Sequence, residues 1–326
     1  MNGSLGSCLR GAVASALLMA AAPVFAQAPA PAAAPAPAQA AAPAPAPQPP
    51  TLSRIRETGV VTIAYREASI PFSYLDQNKR PVGYAMDLCL RVVESLRRDL
   101  KMPNLRLELL SVTPATRIGA IKEGKADLEC GSTTNNANRR KDVAFTVTHY
   151  YAGAKLLTRV DSGINRLADL RGKPVVSTKG TTPLAALRTA EEKGIIGGAR
   201  IIEAKDHDES FAILERGEAV AFAMDDILLY SLRATSKEPQ KWAVVGEFIT
   251  VEPLAIMLRK DDPEFKRYVD TVLSRAMIDG DARYLYNKWF LSPIPPKGIN
   301  LAIPLSPLMR DQLNYPTDKV GDALGG

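Results

Sequence analysis

The spacing between hydrophobic residues changes repeatedly along the chain. From Thr51 onward, short runs rich in β-branched residues alternate with longer segments whose apolar residues recur every three or four positions. The short runs predict strands and the longer segments predict amphipathic helices, which together indicate an α/β fold with largely parallel sheets. Strands are predicted at 60–65, 105–111, 127–130, 175–177, 201–204 and 219–223, helices at 86–100, 116–123, 183–193 and 210–216, and a second α/β series begins at 154–158.

The first 50 residues stand apart because they carry one charged side chain, Arg10. Residues 11–23 form an apolar run too short to span a bilayer, and Val24, Phe25 and Ala26 resemble a small-x-small cleavage site. We therefore predict a signal peptide at 1–26 and an Ala/Pro-rich linker at 27–50. A lipoprotein signal at Cys8 is the disfavoured alternative, because Cys8 precedes the apolar run. The mature protein is expected in the periplasm.

Cleavage would leave two cysteines, Cys89 and Cys130. An even pair in an oxidising compartment favours a disulfide. Such a bond would close a loop of about 40 residues and add about 4 kcal/mol of stability in the chain-entropy model. The alternative is two buried free thiols that pack as small hydrophobic side chains.

The charge distribution and the motifs of the sequence argue against several classes of function. The chain has 41 Lys and Arg against 35 Asp and Glu, but no basic stretch interleaved with aromatic residues, so no nucleic-acid partner is expected. Its two histidines, His149 and His207, are isolated, so no metal site is expected. Nucleophile-elbow, Walker and dinucleotide motifs are missing from the sequence, so no cofactor is expected.

Polar residues concentrate directly after the predicted strands, where open α/β sheets bind ligands. Arg66, Arg117 and Arg139 lie in or near these segments. A guanidinium presents parallel N–H donors that match a carboxylate, whereas Asp225 can accept from an ammonium. The set fits an amino acid with a second carboxylate. The polar segments are 66–69, 131–139, 180–182, 205–208 and 225–226.

At these residues the sequence resembles the glutamate/aspartate-binding proteins of bacterial amino-acid ABC transporters, within solute-binding protein family 3. The resemblance runs from about Thr51 into the C-terminal region. It is carried by REASIPFSY at 66–74, ECGSTTNN at 129–136, AKDH at 204–207, MDD at 224–226, LRKDDP at 258–263, KWF at 288–290 and PIPP at 293–296.

The resemblance implies a two-lobed periplasmic-binding-protein fold of type II, in which two α/β lobes are joined by a two-strand hinge. Lobe 1 would comprise 51–152 and 255–326, and lobe 2 would comprise 153–254. The hinge would cross near 151–154 and 251–255. The implied protein is a non-catalytic monomer that captures L-glutamate or L-aspartate by hinge closure and delivers it to a membrane permease.

The resemblance also assigns roles within the site. Arg139 would bind the α-carboxylate, helped by hydroxyls of the two polar loops, and Asp225 would bind the α-ammonium. Arg66, Arg117 and His207 would hold the distal carboxylate. The helping hydroxyls are those of Ser132, Thr134 and Thr182, and Thr181 is a further candidate ligand residue.

Two positions depart from the pattern of this subgroup. Pro114 stands where a serine is usual, which removes one donor to the distal carboxylate. Near the second hinge strand, residues 253–255 read Pro-Leu-Ala instead of an aromatic-glycine pair. We therefore expect hinge packing to differ from that of the subgroup.

Other interpretations remain open at this point. Asp225 and Asp226 could both cap a helix; we assign Asp225 to the ligand and Asp226 to the N-cap. His149 is expected to pack or to support the hinge. A cyclohexadienyl dehydratase-like lyase on the same fold is the alternative function, with Glu67 or Glu129 as the general acid. A third reading is a sensor module that presents its ligand to a partner.

Overall fold

Two mixed β-sheets, each flanked by helices, make up most of residues 49–320, which are the residues that the computed structural model describes. The predicted signal peptide at 1–26 and the linker as far as residue 48 lie outside the described residues. The helices are α1 (Thr51–Thr58), α2 (Tyr84–Asp99), α3 (Arg117–Lys122), α4 (Thr182–Glu192), α5 (His207–Glu215), α6 (Asp226–Thr235), α7 (Pro263–Ile278), α8 (Asp281–Phe290) and α9 (Pro307–Asn314). The strands are β1 (Val60–Tyr65), β2 (Ala68–Ser69), β3 (Ser73–Leu75), β4 (Pro81–Val82), β5 (Arg106–Ser111), β6 (Leu128–Cys130), β7 (Val143–Phe145), β8 (Tyr150–Arg159), β9 (Pro174–Thr178), β10 (Arg200–Ala204), β11 (Ala221–Asp225), β12 (Trp242–Val245), β13 (Val251–Leu254) and β14 (Met257–Arg259).

Lobe 1 is built on the sheet β5-β1-β6-β14-β7 and contains α1–α3 and α7–α9. Its centre is the apolar face of α2, where Leu88, Val92 and Leu96 recur at helical spacing and are fully buried. The disulfide between Cys89 of α2 and Cys130 at the end of β6 spans 6.3 Å between Cα atoms. The favoured sequence interpretation of the two cysteines therefore agrees with the structure.

Lobe 2 is built on the sheet β10-β9-β11-β8-β12 with α4–α6 packed against it. Strands β9, β10 and β11 are parallel, as the alternating pattern predicts. The prediction of largely parallel sheets is wrong for β8, β12, β13 and β14, which make antiparallel pairs. The reason is topological: β8 carries the chain into lobe 2 and β13 carries it back, so these neighbours run in opposite directions.

The two sheets are connected through β8 and β13. The first four residues of β8 pair with β13, Ala152 lying opposite Glu252, and the later residues pair with β11 and β12. Pro253 has no N–H to donate, but its carbonyl accepts from the Asn135 N–H at 2.8 Å. The unusual Pro-Leu-Ala segment is thereby part of a hydrogen-bonded ladder that also holds the loop after β6.

Within residues 49–320, no helix combines the length and apolar character needed to cross a membrane.

Candidate functional site

The carboxyl ends of strands from both sheets surround one small cavity. Eight of the nine predicted ligand residues line it, although they come from distant parts of the sequence. Met224, which precedes Asp225 on β11, is a lining residue that sequence reasoning missed. The eight predicted residues are Arg117, Ser132, Thr134, Arg139, Thr181, Thr182, His207 and Asp225.

Lobe 1 presents guanidinium groups to this cavity. Arg117 begins α3, and Arg139 begins a 3₁₀ turn at 139–141; their exposures are 2% and 7%. Arg139 donates one Nη to the Thr134 carbonyl at 2.9 Å and the other to the Gly180 carbonyl at 3.2 Å. Arg117 also donates to the Gly180 carbonyl, at 3.4 Å. Two lobe 1 arginines therefore share one lobe 2 acceptor.

Arg66 is the predicted ligand residue that does not line the cavity. It follows β1, is 1% exposed, and packs behind the loop after β6. A Cβ on Gly131 would lie 2.9 Å from Arg66 Cγ and 2.5 Å from Glu129 Oε1, so a side chain at 131 would displace both groups. Gly131 is thus the residue that lets the backbone approach Arg66 closely.

Burial raises the free-energy cost of keeping these arginines charged. Desolvation, reinforced by the neighbouring Arg117 charge, lowers the pKa of Arg66 to about 9 and that of Arg139 to about 9. Desolvation also lowers the pKa of Arg117. A buried cluster of like charges of this kind gains most when an anion is placed beside it.

Three buried carboxylates lie among the arginines. Glu129 on β6, Asp225 at the end of β11 and Glu252 on β13 are each no more than 1% exposed. Three guanidiniums and three carboxylates therefore balance in number. Burial, followed by the charges of Glu252 and Asp226, raises the pKa of Asp225 well above its ordinary value. Of the three, only Glu252 was missed as a candidate from the sequence.

Lobe 2 presents the beginnings of three helices. Thr181 is the N-cap of α4 and accepts from the Leu184 N–H; Asp206 is the N-cap of α5 and accepts from the Glu209 N–H at 2.9 Å. Because Asp206 caps it, α5 begins at His207, three residues before the predicted start. Helix N-termini attract negative charge, so this face complements a ligand carboxylate.

His207 is fully buried at the first residue of α5. Its Nδ1 is 2.9 Å from Thr178 Oγ1, whereas its Nε2 has no partner within the described residues. Desolvation, followed by the charges of Arg66 and Arg117, lowers its pKa well below the ordinary value. If Nδ1 accepts from Thr178, Nε2 carries the proton and can donate; if Nδ1 donates to Thr178, Nε2 is an acceptor.

The prediction that Asp226 is a helix N-cap is wrong. Strand β11 continues through Asp225, so Asp225 holds the N-cap position and Asp226 is the first helical residue. Asp226 accepts instead from the Ile227 N–H at 2.7 Å and the Gly153 N–H of β8 at 3.3 Å. Asp225 makes no side-chain cap bond, and its Oδ1 is buried without a partner in residues 49–320.

Several polar atoms around the cavity share this property. Buried polar atoms are almost always hydrogen-bonded, so a group of partnerless ones at one place marks a site shaped for a polar ligand. Among the residues that line the cavity, the atoms without a partner in residues 49–320 are Arg117 Nε, Ser132 Oγ, His207 Nε2 and Asp225 Oδ1, and behind them lie Arg66 Nη1 and Glu129 Oε1.

The lobes also touch where Gly180 meets Pro114, a contact that the sequence did not predict. Gly180 has φ +78°, and a Cβ on it would lie 2.7 Å from the Pro114 carbonyl oxygen. Pro114, noted from sequence for its missing donor, therefore supplies a close backbone surface to lobe 2.

The residues of the alternative interpretations lie elsewhere or are already engaged. Glu67 is exposed and accepts from Ser111 at 2.6 Å. Glu129 Oε2 accepts from Thr133 at 2.6 Å, whereas its Oε1 is buried without a partner in residues 49–320. His149 is fully buried against Phe72 and Tyr84, with ring centroids 5.8 and 5.9 Å away, as expected for a packing role. The described residues contain no cluster of His, Cys, Asp and Glu that could hold a metal ion.

This combination of a two-sheet fold and a cleft at the strand ends defines a class of binding protein. Residues 61–292 match the family of bacterial extracellular solute-binding proteins, family 3, and the chain belongs to that family. The resemblance inferred from the sequence motifs is confirmed.

More specific similarities lie within this family. An L-glutamate/L-aspartate-binding protein of Pseudomonas aeruginosa is 44% identical over 277 residues, covering 84% of this chain and 91% of the relative. A glutamate/aspartate import solute-binding protein of Salmonella typhimurium is 43% identical, covering 82% of this chain and 89% of the relative. Among solved structures, a mutant of ArgBP from T. maritima matches with a TM-score of 0.66 at 23% identity, covering 73% of this chain and 98% of that one. This last similarity supports the fold.

Proposed function

We propose that this protein is the solute-binding component of an ABC importer for L-glutamate and L-aspartate. The observation that carries the proposal is the pair of buried arginines, Arg117 and Arg139, that line one cavity with Asp225, with Arg66 buried behind them. The two relatives, at 43–44% identity, are named for glutamate and aspartate binding. Their names describe binding proteins, which supports a non-catalytic role over the dehydratase alternative.

A dicarboxylic amino acid satisfies the site's partnerless atoms. Arg139 binds the α-carboxylate with Ser132, and Asp225 accepts from the α-ammonium. Arg117, Arg66 and the His207 Nε2–H hold the distal carboxylate. Charge-assisted hydrogen bonds of this kind contribute about 1.5–3 kcal/mol each, so the loss of either carboxylate would weaken binding strongly.

Thr134 and Thr182 have a more specific role in this proposal. Each donates its hydroxyl proton to Glu252, with 2.6 Å between Thr182 Oγ1 and Glu252 Oε2. A hydroxyl has one proton, so these oxygens are left with lone pairs toward the ligand. We therefore assign them to the ammonium rather than to the α-carboxylate that the resemblance suggested.

Binding is coupled to the hinge because the ligand groups belong to both lobes. Arginines of lobe 1 and Asp225, His207 and Thr181 of lobe 2 bind one small molecule together only when the lobes are closed. A ligand shifts the equilibrium between open and closed states by its difference in affinity for them. Lobe boundaries near residues 152 and 254, at β8 and β13, belong to this proposal.

The cellular setting follows from the same proposal. The protein acts in the periplasm as a monomer and presents the closed, loaded form to a membrane permease. Permeases that recognise closure can distinguish loaded from empty protein without contacting the ligand.

A thermal-shift panel tests the function against its alternative. A ligand that binds only the folded protein raises the Tm by mass action. L-Glutamate and L-aspartate should raise the Tm, and L-arginine should leave it unchanged. The same samples incubated with prephenate should form no product. Turnover of prephenate without stabilisation by either acidic amino acid would contradict the proposal and favour the lyase.

A further inference from the structure

Glu252 lies at the centre of the connection between the lobes, yet no ligand contact has been assigned to it. It is on β13, opposite Ala152 of β8, and is 1% exposed. Its carboxylate accepts three hydroxyl hydrogen bonds: Oε2 from Thr134 and Thr182, and Oε1 from Thr250. A buried carboxylate with this many donors is strongly held in place.

The three hydroxyls belong to different parts of the molecule. Thr134 is tied to β13 itself, because Thr134 bridges Leu254 and the flanking Thr133 carbonyl accepts from the Ala255 N–H at 2.9 Å. Glu252 lies within the hinge crossing at 251–255, and these contacts tie its strand to the loop after β6 in lobe 1. Thr182 begins α4 of lobe 2, and its bond to Glu252 crosses the cleft.

We propose that Glu252 is a positioning residue that fastens α4 of lobe 2 to the hinge strand when the cleft closes. The bond between Glu252 and Thr182 can form only when the start of α4 lies against β13. It thus favours the closed arrangement and places the Thr181 and Thr182 end of α4 beside the ligand. This role rests on the proposed function for its ligand, but the fastening itself needs none.

A second explanation for a buried carboxylate here is charge neutralisation. The charge of Glu252 acts on both Arg117 and Arg139. The variant Glu252→Gln distinguishes the two explanations, because it keeps an acceptor oxygen for Thr182 but removes the negative charge. Glu252→Met removes both. Glu129→Gln is the matched control, because Glu129 is equally buried among the arginines but bonds to Thr133 of its own lobe.

The first readout is the distance between the lobes in ligand-free protein, measured by pulsed electron–electron double resonance between two spin labels. Spin labels at Glu108→Cys and Glu192→Cys, both exposed positions, report on lobe 1 and lobe 2. The native pair Cys89 and Cys130 is bonded and does not compete for label. We expect Glu252→Met to shift the population toward longer distances, with Glu252→Gln and Glu129→Gln close to wild type. Equal shifts for Glu252→Gln and Glu252→Met would overturn the proposal in favour of charge.

The second readout is a double-mutant cycle with Thr182→Val on the Kd for L-glutamate. If Glu252 acts through Thr182, then Glu252→Met weakens binding by about tenfold, and Thr182→Val weakens it by at least as much because Thr182 also contacts the ligand ammonium in the proposed binding mode. The double variant is then no weaker than the weaker single variant. Additive losses would overturn the proposal.

Each readout still decides the role of Glu252 when the other gives no information. If wild-type protein binds no acidic amino acid, the proposed function fails, while the ligand-free distances still decide the role of Glu252. If ligand-free wild type shows only the long distance, the affinity cycle decides it. If Glu252→Met does not fold, the near-isosteric Thr182→Val alone should open the lobes and weaken binding; wild-type behaviour of that variant would overturn the proposal.

Discussion

The two faces of the cleft contribute opposite kinds of chemical group. Lobe 1 contributes the guanidiniums of Arg117 and Arg139, with Arg66 behind them, whereas lobe 2 contributes acceptors and helix N-termini. The Gly180 carbonyl and the Asp225 carboxylate are the principal acceptors on the lobe 2 side. In the proposed binding mode, the lobe 1 arginines hold both carboxylates, and lobe 2 adds Asp225 for the ammonium and His207 for the distal carboxylate when the cleft closes.

The two faces are also anchored differently. The lobe 1 loop that begins at Gly131 directly follows Cys130 of the disulfide and is hydrogen-bonded to β13. The lobe 2 loops end in helix caps, Thr181 for α4 and Asp206 for α5. A loop held by a covalent bond and a strand ladder is suited to keeping cations in place while the other lobe moves.

The largest expected effect comes from removing the central cation of lobe 1. Arg139→Ala should weaken L-glutamate binding by more than about 100-fold, because leaving a buried charge unpaired costs about 3–5 kcal/mol. Lys141→Ala removes an exposed cation from the same 3₁₀ turn and is the matched control. Calorimetric titration of both variants checks this; equal affinities would contradict the assignment of Arg139.

The acceptor of lobe 2 should matter next. Asp225→Asn keeps the shape but loses the charge that faces the ammonium, so we expect L-glutamate binding to weaken by about tenfold or more. Asp226→Asn is the control, since Asp226 bonds to backbone N–H groups rather than to the cavity. If Asp226→Asn weakened binding as much as Asp225→Asn, the ammonium role of Asp225 would be lost.

A smaller effect should appear where the lobes touch at Gly180. Gly180→Ala adds a Cβ 2.7 Å from the Pro114 carbonyl, a contact that exists only while the lobes are closed. Gly172→Ala has a similar backbone strain, with φ +69°, but its Cβ meets nothing within 4 Å. Both variants should lose about 1 kcal/mol of folding stability from the positive φ. Only Gly180→Ala should also lose affinity, by about tenfold in titration; a matched loss in Gly172→Ala would rule out the lobe contact.

The buried His149 of lobe 1 makes folding stability depend on pH. Desolvation lowers the pKa of His149 in the lobe 1 core to about 3, against an ordinary 6.5, so the unfolded chain binds more protons between these values. Its contribution to stability is therefore present above pH 6.5 and is lost as pH falls toward 3, at up to about 1.4 kcal/mol per pH unit. Urea unfolding at several pH values should give a shallower decline for His149→Gln than for wild type. Parallel curves would show that His149 does not titrate on unfolding.

Local patterns in the sequence predict β1, β5, β6, β9, β10 and β11 and the charged loops because both depend on neighbouring residues, whereas the short strands β2, β3, β4, β7 and β14 were not predicted. The ends of β1 and β5 agree with their patterns to within one residue, and Arg139 and Asp225 follow from residue type and resemblance. Glu252 carries no local signal, and although Gly180 lies in a predicted polar segment, no local pattern indicates its contact with Pro114. Their roles depend on Thr134 and Pro114, which are distant in sequence and are brought near by the crossing of β8 and β13.

The direction of strands likewise needs more than a local pattern. Alternation of strands with helices correctly predicts β9, β10 and β11 as parallel neighbours. It does not reveal that β14 returns to the lobe 1 sheet between β6 and β7, since that depends on where the chain leaves lobe 2. The start of α5 was displaced for a simpler reason, the Asp206 cap.

The central claim is that one cleft binds two carboxylates and an ammonium at the same time. Its most direct measurement is a calorimetric titration of ligand-stripped protein with L-glutamate, L-glutamine and glutarate. L-Glutamine lacks the distal charge and glutarate lacks the ammonium, so each analogue removes one partner from the proposed set. We predict that L-glutamate binds tightly and that each analogue binds at least about tenfold more weakly. Equal affinity for L-glutamine would contradict a distal-carboxylate site at Arg66, Arg117 and His207, and equal affinity for glutarate would contradict the ammonium site at Asp225.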